Sequence, residues 1–285
     1  MALRINYNFE SISAQRNLAG TQNSFFRAIE QLSSGLRINK AADDTAGLAV
    51  SEKLKNQVRG LNQAQRNAQD AVSLLQTAEG ALNETHSLLA RMRELAVQSS
   101  NDTLTNADRL HIQNEVNQLL SEVDRIAAAT QFNTIPLLNG GGVATGLQFH
   151  VGPNNVTAAL VDEVTFGFTS ANTTGLTIAN LGTAGAQSLT TQTGANSAIS
   201  VLDTAIETVS TRRGALGAMQ NRLTSTINSL GVASENTGAA NSRIRDADVA
   251  QAVSEMVKNQ ILQQSTMAVL AQANQAPQMA LQLLK

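Results

Sequence analysis

The side chains that could carry out chemistry are few and widely scattered along this chain. Its three histidines, His86, His111 and His150, lie far apart, and none forms a metal-ligand motif with a second histidine. The chain contains no cysteine, which excludes disulfides, thiolate metal sites and cysteine nucleophiles. We therefore expect no catalytic residue, no metal site and no cofactor.

Two other patterns that could indicate catalysis are better explained by structure. Asn139–Gly142 is rich in glycine, but no Lys-Ser/Thr pair follows and no helix is predicted to begin there, as a phosphate loop requires. The adjacent acids Asp43–Asp44 and Asp162–Glu163 are typical of a helix cap and a solvated turn rather than of an acid/base pair. The sequence therefore predicts that the protein is not an enzyme.

Composition excludes several other classes. Of the 285 residues, 42% are hydrophobic but only 3% are aromatic, which argues against a large globular core. The formal net charge of -2 gives no reason to expect nucleic acid or an anionic membrane as a partner. No apolar run approaches the roughly 20 residues that span a bilayer, and the first residues do not resemble a cleavable secretory signal.

The strongest pattern is a heptad repeat near both ends of the chain. Apolar residues recur every seven positions from Leu54 to Ala96, a second row follows at an offset of three, and Leu202 to Leu230 keep the same spacing. This repeat is typical of coiled coils and predicts a helix from about 45 to 99, about 80 Å long. Four polar residues interrupt the rows, and either fix the register of packing or lie at its edge: Gln57, Thr85, Arg213 and Gln220.

The remaining elements follow from periodicity and turn residues. We expect helices over residues 9–37, from 105 to about 130, over 195–229 and over 246–273, with an interruption at 236–241 and Pro277 ending regular structure. Residues 146–168 alternate apolar and polar side chains and predict a β-hairpin or small sheet, and the composition of 169–194 predicts a linker or an irregular cap. The expected fold class is mainly α: a long antiparallel helical coiled-coil rod formed by both chain ends, with a small β-hairpin region in the middle.

Several segments resemble the signatures of a known family. The chain closely resembles bacterial flagellin in these stretches: Gln31–Asn39, Ala42–Gly47, Met92–Ser99, Thr130–Asn133, Gly217–Leu223, Ser242–Asp248, Gln260–Gln264 and Leu270–Gln278. The likeness covers about residues 1–138 and 195–285. Because only about 55 residues separate these regions, the resemblance is to a minimal flagellin that lacks outer variable domains. The His-Glu-x-x-His motif that a few flagellins carry is absent.

The resemblance implies a function and a domain plan. It implies a structural subunit of the flagellar filament, exported by the flagellar type III apparatus to an extracellular location, with a hook-filament junction protein or a secreted helical adhesin as alternatives. Residues 1–43 and 246–285 would form an inner terminal coiled-coil domain that is disordered in the monomer. Residues 44–138 and 195–245 would form a helical rod domain, and 139–194 a short hairpin and variable segment.

It also implies partners and two sets of surface residues. The partners are further copies of the chain, an export chaperone, the filament cap, hook-filament junction proteins and the host Toll-like receptor 5. A chaperone, or inter-subunit packing, would use residues of the last helix: Val253, Met256, Val257, Ile261 and Leu270. Carried over from the family, the receptor-binding residues are Arg91, Leu95, Ile112 and Glu115. Leu95 and Ile112 could instead pack inside the helical bundle.

Overall fold

The computed structural model describes residues 8–140, 146–154, 162–182 and 187–283, with side chains up to Gln275. Within these residues the fold is mainly α with small antiparallel strand pairs, so the predicted fold class is confirmed. In chain order the elements are α1 (Phe9–Ser34), α2 (Thr45–Ser99), α3 (Asn106–Ala129), β1 (Gln131–Phe132), β2 (Ile135–Pro136), β3 (Leu147–His150), β4 (Glu163–Phe166), a 3-10 helix (Ala179–Leu181), α4 (Gln192–Arg245) and α5 (Val249–Leu283). The chain divides into two compact units, residues 59–234 and residues 1–58 with 235–285.

The larger unit, residues 59–234, has a core of aliphatic side chains at the predicted heptad positions. Arg93 pairs with Asp203 and Glu79 with Gln220, so α4 runs antiparallel to α2. The buried heptad residues are Leu61, Ala64, Ala68, Ala71, Leu75, Ala78, Leu82, Leu89, Met92 and Ala96 of α2 and Leu202, Val209, Leu216, Leu223 and Leu230 of α4. The small alanines of α2 allow its neighbours to approach closely, which compensates for the scarcity of aromatic side chains.

The four polar residues in the heptad rows have different surroundings. Thr85 is buried, and its hydroxyl donates to the Ala81 carbonyl of its own helix, so it needs no partner elsewhere. Gln220 is half-buried and donates to the Glu79 carboxylate 2.8 Å away, which links α4 to α2. Gln57 is exposed and lies at the edge of packing. Arg213 is half-buried, and its Nε atom has no hydrogen-bond partner.

Helix ends are set by local capping residues, and α1 ends three residues before its predicted end at residue 37. Asp44 accepts a hydrogen bond from the Gly47 N–H and begins α2, as expected for an acidic cap. Thr105 and Asp108 form a reciprocal capping box at the start of α3. Gly35 ends α1 with φ of 70°, a left-handed conformation that glycine adopts without steric cost.

The middle of the chain contains the predicted hairpin and one that was not predicted. β3 pairs antiparallel with β4, and Leu147 and Phe149 are half-buried while Gln148 and His150 face solvent. The earlier pair, β1 with β2, turns through Asn133 and Thr134, which both have positive φ, as in type I′ turns. Residues 156–161 of the predicted alternating segment and Gly141–Gly142 lie outside the described residues.

The predicted linker or cap at 169–194 packs against the larger core over much of its described length. The Ala171 N–H donates to the Leu138 carbonyl, and Leu176, Ile178 and Leu181 are buried. Of the two alternatives predicted for this segment, these residues therefore form the irregular cap and not the linker. Its low charge and weak periodicity reflect an irregular backbone that covers the helices.

In the smaller unit, residues 1–58 and 235–285, α1 and α5 pack antiparallel. Two predicted interruptions are absent: α4 continues through 236–241, and α5 continues past Pro277 to Leu283. Gly238 costs a helix only about 1 kcal/mol relative to alanine, which does not break a long helix. Pro277 cannot donate to the Ala273 carbonyl, but Asn8 Nδ2 donates to that oxygen at 2.9 Å and replaces the missing bond.

Candidate functional site

The described residues offer surfaces rather than a reaction centre. Among them no group of three or more histidine, aspartate or glutamate side chains could hold a metal ion. Within the same ranges, no helix is long and apolar enough to cross a membrane. The three histidines remain apart: His86 lies on α2, His111 on α3 and His150 on β3.

The most unusual surface consists of apolar side chains on α1 and α5. The two helices bury small residues against each other, including Ala14 and Ala28 of α1 and Ala252 and Ala273 of α5. Larger apolar side chains point outward, and eleven of the sixteen exposed large hydrophobic residues of the described chain lie on these helices. They are Phe9, Ile12, Phe26, Ile29, Val249, Val253, Val257, Ile261, Leu262, Met267 and Val269.

We call these eleven residues the terminal apolar surface. Single exposed hydrophobic residues are normal on proteins, but a concentration of this kind marks an interaction site. α5 carries apolar residues around its whole circumference, as a helix does when it is buried on all sides. Fully burying one Val, Leu or Ile side chain is worth about 1.5–3 kcal/mol, so covering this surface would strongly favour association.

The five predicted packing residues of α5 differ in how exposed their side chains are. Val253, Val257 and Ile261 belong to the terminal apolar surface, and Ile261 is 60% exposed. Met256 and Leu270 are half-buried. All five side chains are therefore partly or largely accessible within this chain.

The second predicted surface lies on α2 and α3 of the larger unit. Arg91 donates to Glu115 across the two helices and to Glu94 on its own helix, each at 3.0 Å. Hydrogen bonds to Glu94 and Glu115 raise the pKa of Arg91 above its ordinary value, so the guanidinium stays charged. Leu95 and Ile112 lie beneath this cluster and are only 2% and 8% exposed.

The burial of Leu95 and Ile112 shows whether these side chains are exposed on the surface or packed inside the helical bundle. Both belong to the core that joins α2 to α3. The two side chains therefore pack inside the helical bundle, the alternative that the sequence left open, and the 4-3 spacing of Ile112 places it on the buried stripe of α3. The accessible part of the surface is formed by Arg91, Glu94 and Glu115.

Sequence reasoning missed a buried polar cluster at one end of the larger unit. Gln113 is fully buried and donates to the Leu181 carbonyl while its Oε1 accepts from the Leu189 N–H. Arg109, 7% exposed, donates to the Ser99 carbonyl, and Ser99 donates to the Leu189 carbonyl. No periodic signal in the sequence marks this cluster, because the partners of Gln113 beyond α3 lie 68 to 76 residues away.

Family comparisons account for both ends of the chain. Residues 5–142 match the family described as bacterial flagellin N-terminal helical region. Residues 199–284 match the bacterial flagellin C-terminal helical region. The two matches cover most of the sequence and leave residues 143–198 between them.

Individual proteins resemble the chain along nearly its whole length. A flagellin of Halalkalibacterium halodurans is 48% identical over 281 residues, which cover 99% of each chain. Flagellin FlaB2 of Treponema pallidum is 46% identical over 290 residues, again 99% of each. A structure described as a flagellar hook-associated protein from Vibrio parahaemolyticus is 14% identical, covers 72% of this chain and 100% of its own, and has a TM-score of 0.59. This last likeness concerns the fold alone.

Proposed function

This chain belongs to the bacterial flagellin family and is a structural subunit of the flagellar filament, and from this premise we propose how its surfaces serve assembly. The family consists of structural filament proteins, not enzymes. We infer that the terminal apolar surface is covered by neighbouring copies and that its burial drives polymerisation. The observation that supports this is the concentration of exposed hydrophobic residues on α1 and α5.

The direct test is seeded growth. Purified chain added to short filament fragments should extend them into long filaments of uniform width under the electron microscope. A hook-filament junction protein would bind the fragment ends without elongating them, and a secreted adhesin would leave them unchanged. Either of those results would overturn the filament assignment.

The proposal assigns each segment of the chain to a domain of the filament subunit. Residues 1–43 and 246–285 form the inner coiled-coil domain, 44–138 and 195–245 the helical rod domain, and 139–194 the variable segment. We propose that the inner domain is poorly ordered in the monomer, because an apolar surface without neighbours gives its helices little tertiary support. Limited proteolysis should therefore trim both ends of the monomer but spare them in the filament. Equal resistance in both states would contradict this division.

The same surface of α5 suits a chaperone before export. We propose that Val253, Met256, Val257, Ile261 and Leu270 are covered by an export chaperone, and that the chain then passes through the flagellar type III apparatus to the cell exterior. There it would meet the filament cap and, at the filament base, hook-filament junction proteins. Deleting residues 250–285 should abolish chaperone binding. Val257→Asp should weaken binding, whereas Lys258→Ala, at an exposed neighbouring position, should not.

The charged cluster on α2 and α3 is the proposed contact with Toll-like receptor 5. Arg91 and Glu115 would touch the receptor, while Leu95 and Ile112 would hold the two helices at the required spacing. Arg91→Ala should weaken binding of monomer to the receptor ectodomain by at least about 1 kcal/mol, as expected for an arginine anchor. Arg125→Ala, which removes an exposed arginine paired with Glu122 on the same helix, is the control. Equal affinity of Arg91→Ala and the parent would contradict the proposed contact with the receptor.

A further inference from the structure

The larger unit contains a half-open cavity that none of the proposed contacts uses. It has a volume of about 240 Å³ and lies where the end of β4 meets α2 and α4. Its apolar wall is formed by Leu82, Leu138, Phe166, Phe168 and Leu216. The rings of Phe166 and Phe168 meet edge to face with their centroids 5.0 Å apart.

The polar wall of the cavity is the guanidinium of Arg212. This side chain donates to the Ser170 carbonyl at 2.7 Å and to the Gly175 carbonyl at 3.3 Å. A Cβ atom at Gly175 would collide with the Ser170 carbonyl, so glycine is what allows these two acceptors to lie together. Burial lowers the pKa of Arg212, which reflects a cation partly removed from water.

Arg212 has no ion-pair partner among the described residues. Its only described acceptors are the two neutral carbonyl oxygens. A cation that is partly desolvated and faces no anion is unfavourable, and an added carboxylate would offset that cost. The electrostatics of the cavity therefore favour an acidic occupant.

The volume of the cavity favours a protein side chain over a small molecule as its occupant. A volume of about 240 Å³ corresponds to roughly eight water molecules and lies below the roughly 300–1,000 Å³ of most small-molecule pockets. An aliphatic stem that ends in a carboxylate would match both walls. Exposed glutamates with no described ion pair or hydrogen bond are present on the same unit, among them Glu84 on α2 and Glu207 on α4.

We propose that in the filament this cavity receives an acidic side chain from a second copy of the chain. Its methylene groups would lie against Phe166 and Phe168, and its carboxylate would pair with Arg212. The inference rests on the filament function proposed above and adds a specific contact to it. A cavity on one copy and an acid elsewhere on the next form a heterologous contact, the kind that builds open polymers.

Because the chain has no cysteine, a single introduced thiol can report on occupancy of the cavity. Thr211 lines the cavity, and Thr204 lies two turns earlier on the same face of α4; both are exposed. Thr211→Cys and Thr204→Cys should react with a maleimide at similar rates in the monomer. In the filament, Thr211→Cys should be the more strongly protected. Protection of Thr211→Cys no greater than that of Thr204→Cys would overturn the proposal.

The charge is tested separately by substitution of Arg212. Arg212→Gln should raise the critical concentration for seeded growth about fivefold, the effect of losing one partly exposed ion pair. Arg212→Lys should recover part of that loss, and Arg222→Gln, an exposed cation on the same helix outside the cavity, should have no such effect. Urea unfolding of each monomer separates assembly defects from folding defects. Normal growth of Arg212→Gln would overturn the proposal, whereas failure of the parent chain to grow would overturn the filament function itself.

Discussion

Gln113 shows how a single polar residue can organise one end of the larger unit. Its amide makes four hydrogen bonds: it donates to Asn117 and the Leu181 carbonyl and accepts from the Leu189 N–H and the Ser188 hydroxyl. Three of these bonds attach the 3-10 helix, at Leu181, and the segment at Ser188–Leu189 to α3. The sequence could not reveal them, because these partners lie 68 to 76 residues away and follow no periodic pattern.

Replacing Gln113 should therefore destabilise the monomer. Gln113→Leu keeps the volume approximately but leaves the buried Leu189 N–H and Leu181 carbonyl without partners. Each unsatisfied buried group costs about 1–3 kcal/mol, so we expect a loss of about 2–4 kcal/mol in the free energy of unfolding by urea. Asn114→Ala, at the exposed adjacent position, should change it by less than about 0.5 kcal/mol. Similar effects of both substitutions would contradict this role.

Asp108 gives the larger unit a pH dependence at the start of α3. Hydrogen bonds from the Thr105 hydroxyl and N–H lower the pKa of Asp108 below its ordinary value of 3.8. Because the folded-state pKa is the lower one, the stabilisation is complete above the unfolded pKa and disappears as the pH falls through the folded value.

We expect Asp108→Asn to be less stable than the parent at neutral pH. The difference in urea stability should shrink as the pH falls below about 4, where the parent carboxylate also becomes protonated. Glu84→Gln, which removes a carboxylate without a described partner, should show no comparable difference. A constant difference between Asp108→Asn and the parent across this range would argue against the cap.

At the scale of elements, the sequence predicted the packed helices better than their ends in the smaller unit. The bounds of α2 follow from its heptads and from the Asp44 cap, which are local signals. The continuation of α5 past Pro277 depends on Asn8, which lies 265 residues from Ala273 in sequence. The spacing of Ile112 was compatible with a buried stripe, but only the packing of α2 against α3 shows that Leu95 and Ile112 are both buried.

The contact between Asn8 and α5 can be separated from the capping of α1. Asn8→Asp can still accept from the Ser11 N–H but has no N–H to donate to the Ala273 carbonyl. We expect the loss of this hydrogen bond to destabilise the filament by about 1 kcal/mol per subunit, which should appear as a lower midpoint temperature of thermal dissociation. Adding Pro277→Ala should restore the midpoint, since alanine supplies the missing helical N–H. An unrestored midpoint in the double variant would show that this bond does not support α5.

At the scale of the whole molecule, the two units differ in whether they bury their large hydrophobic side chains. The larger unit buries its heptad residues internally, with Leu223 and Leu61 0% and 4% exposed. The smaller unit leaves the terminal apolar surface open, with Ile261 60% exposed. Folding should therefore depend mainly on the first set of side chains and polymerisation on the second.

Placing the same carboxylate in each set separates the two processes. Leu223→Asp and Leu61→Asp should each lower the melting temperature of the monomer, because an unpaired carboxylate in a packed core costs several kcal/mol. Ile261→Asp should leave that melting temperature unchanged, since its side chain stays in water, but should prevent seeded growth by placing a charge where neighbouring copies meet. If Ile261→Asp polymerised like the parent, α5 would not be buried between subunits. If Leu223→Asp melted like the parent, the heptads of α4 would not hold the larger unit together.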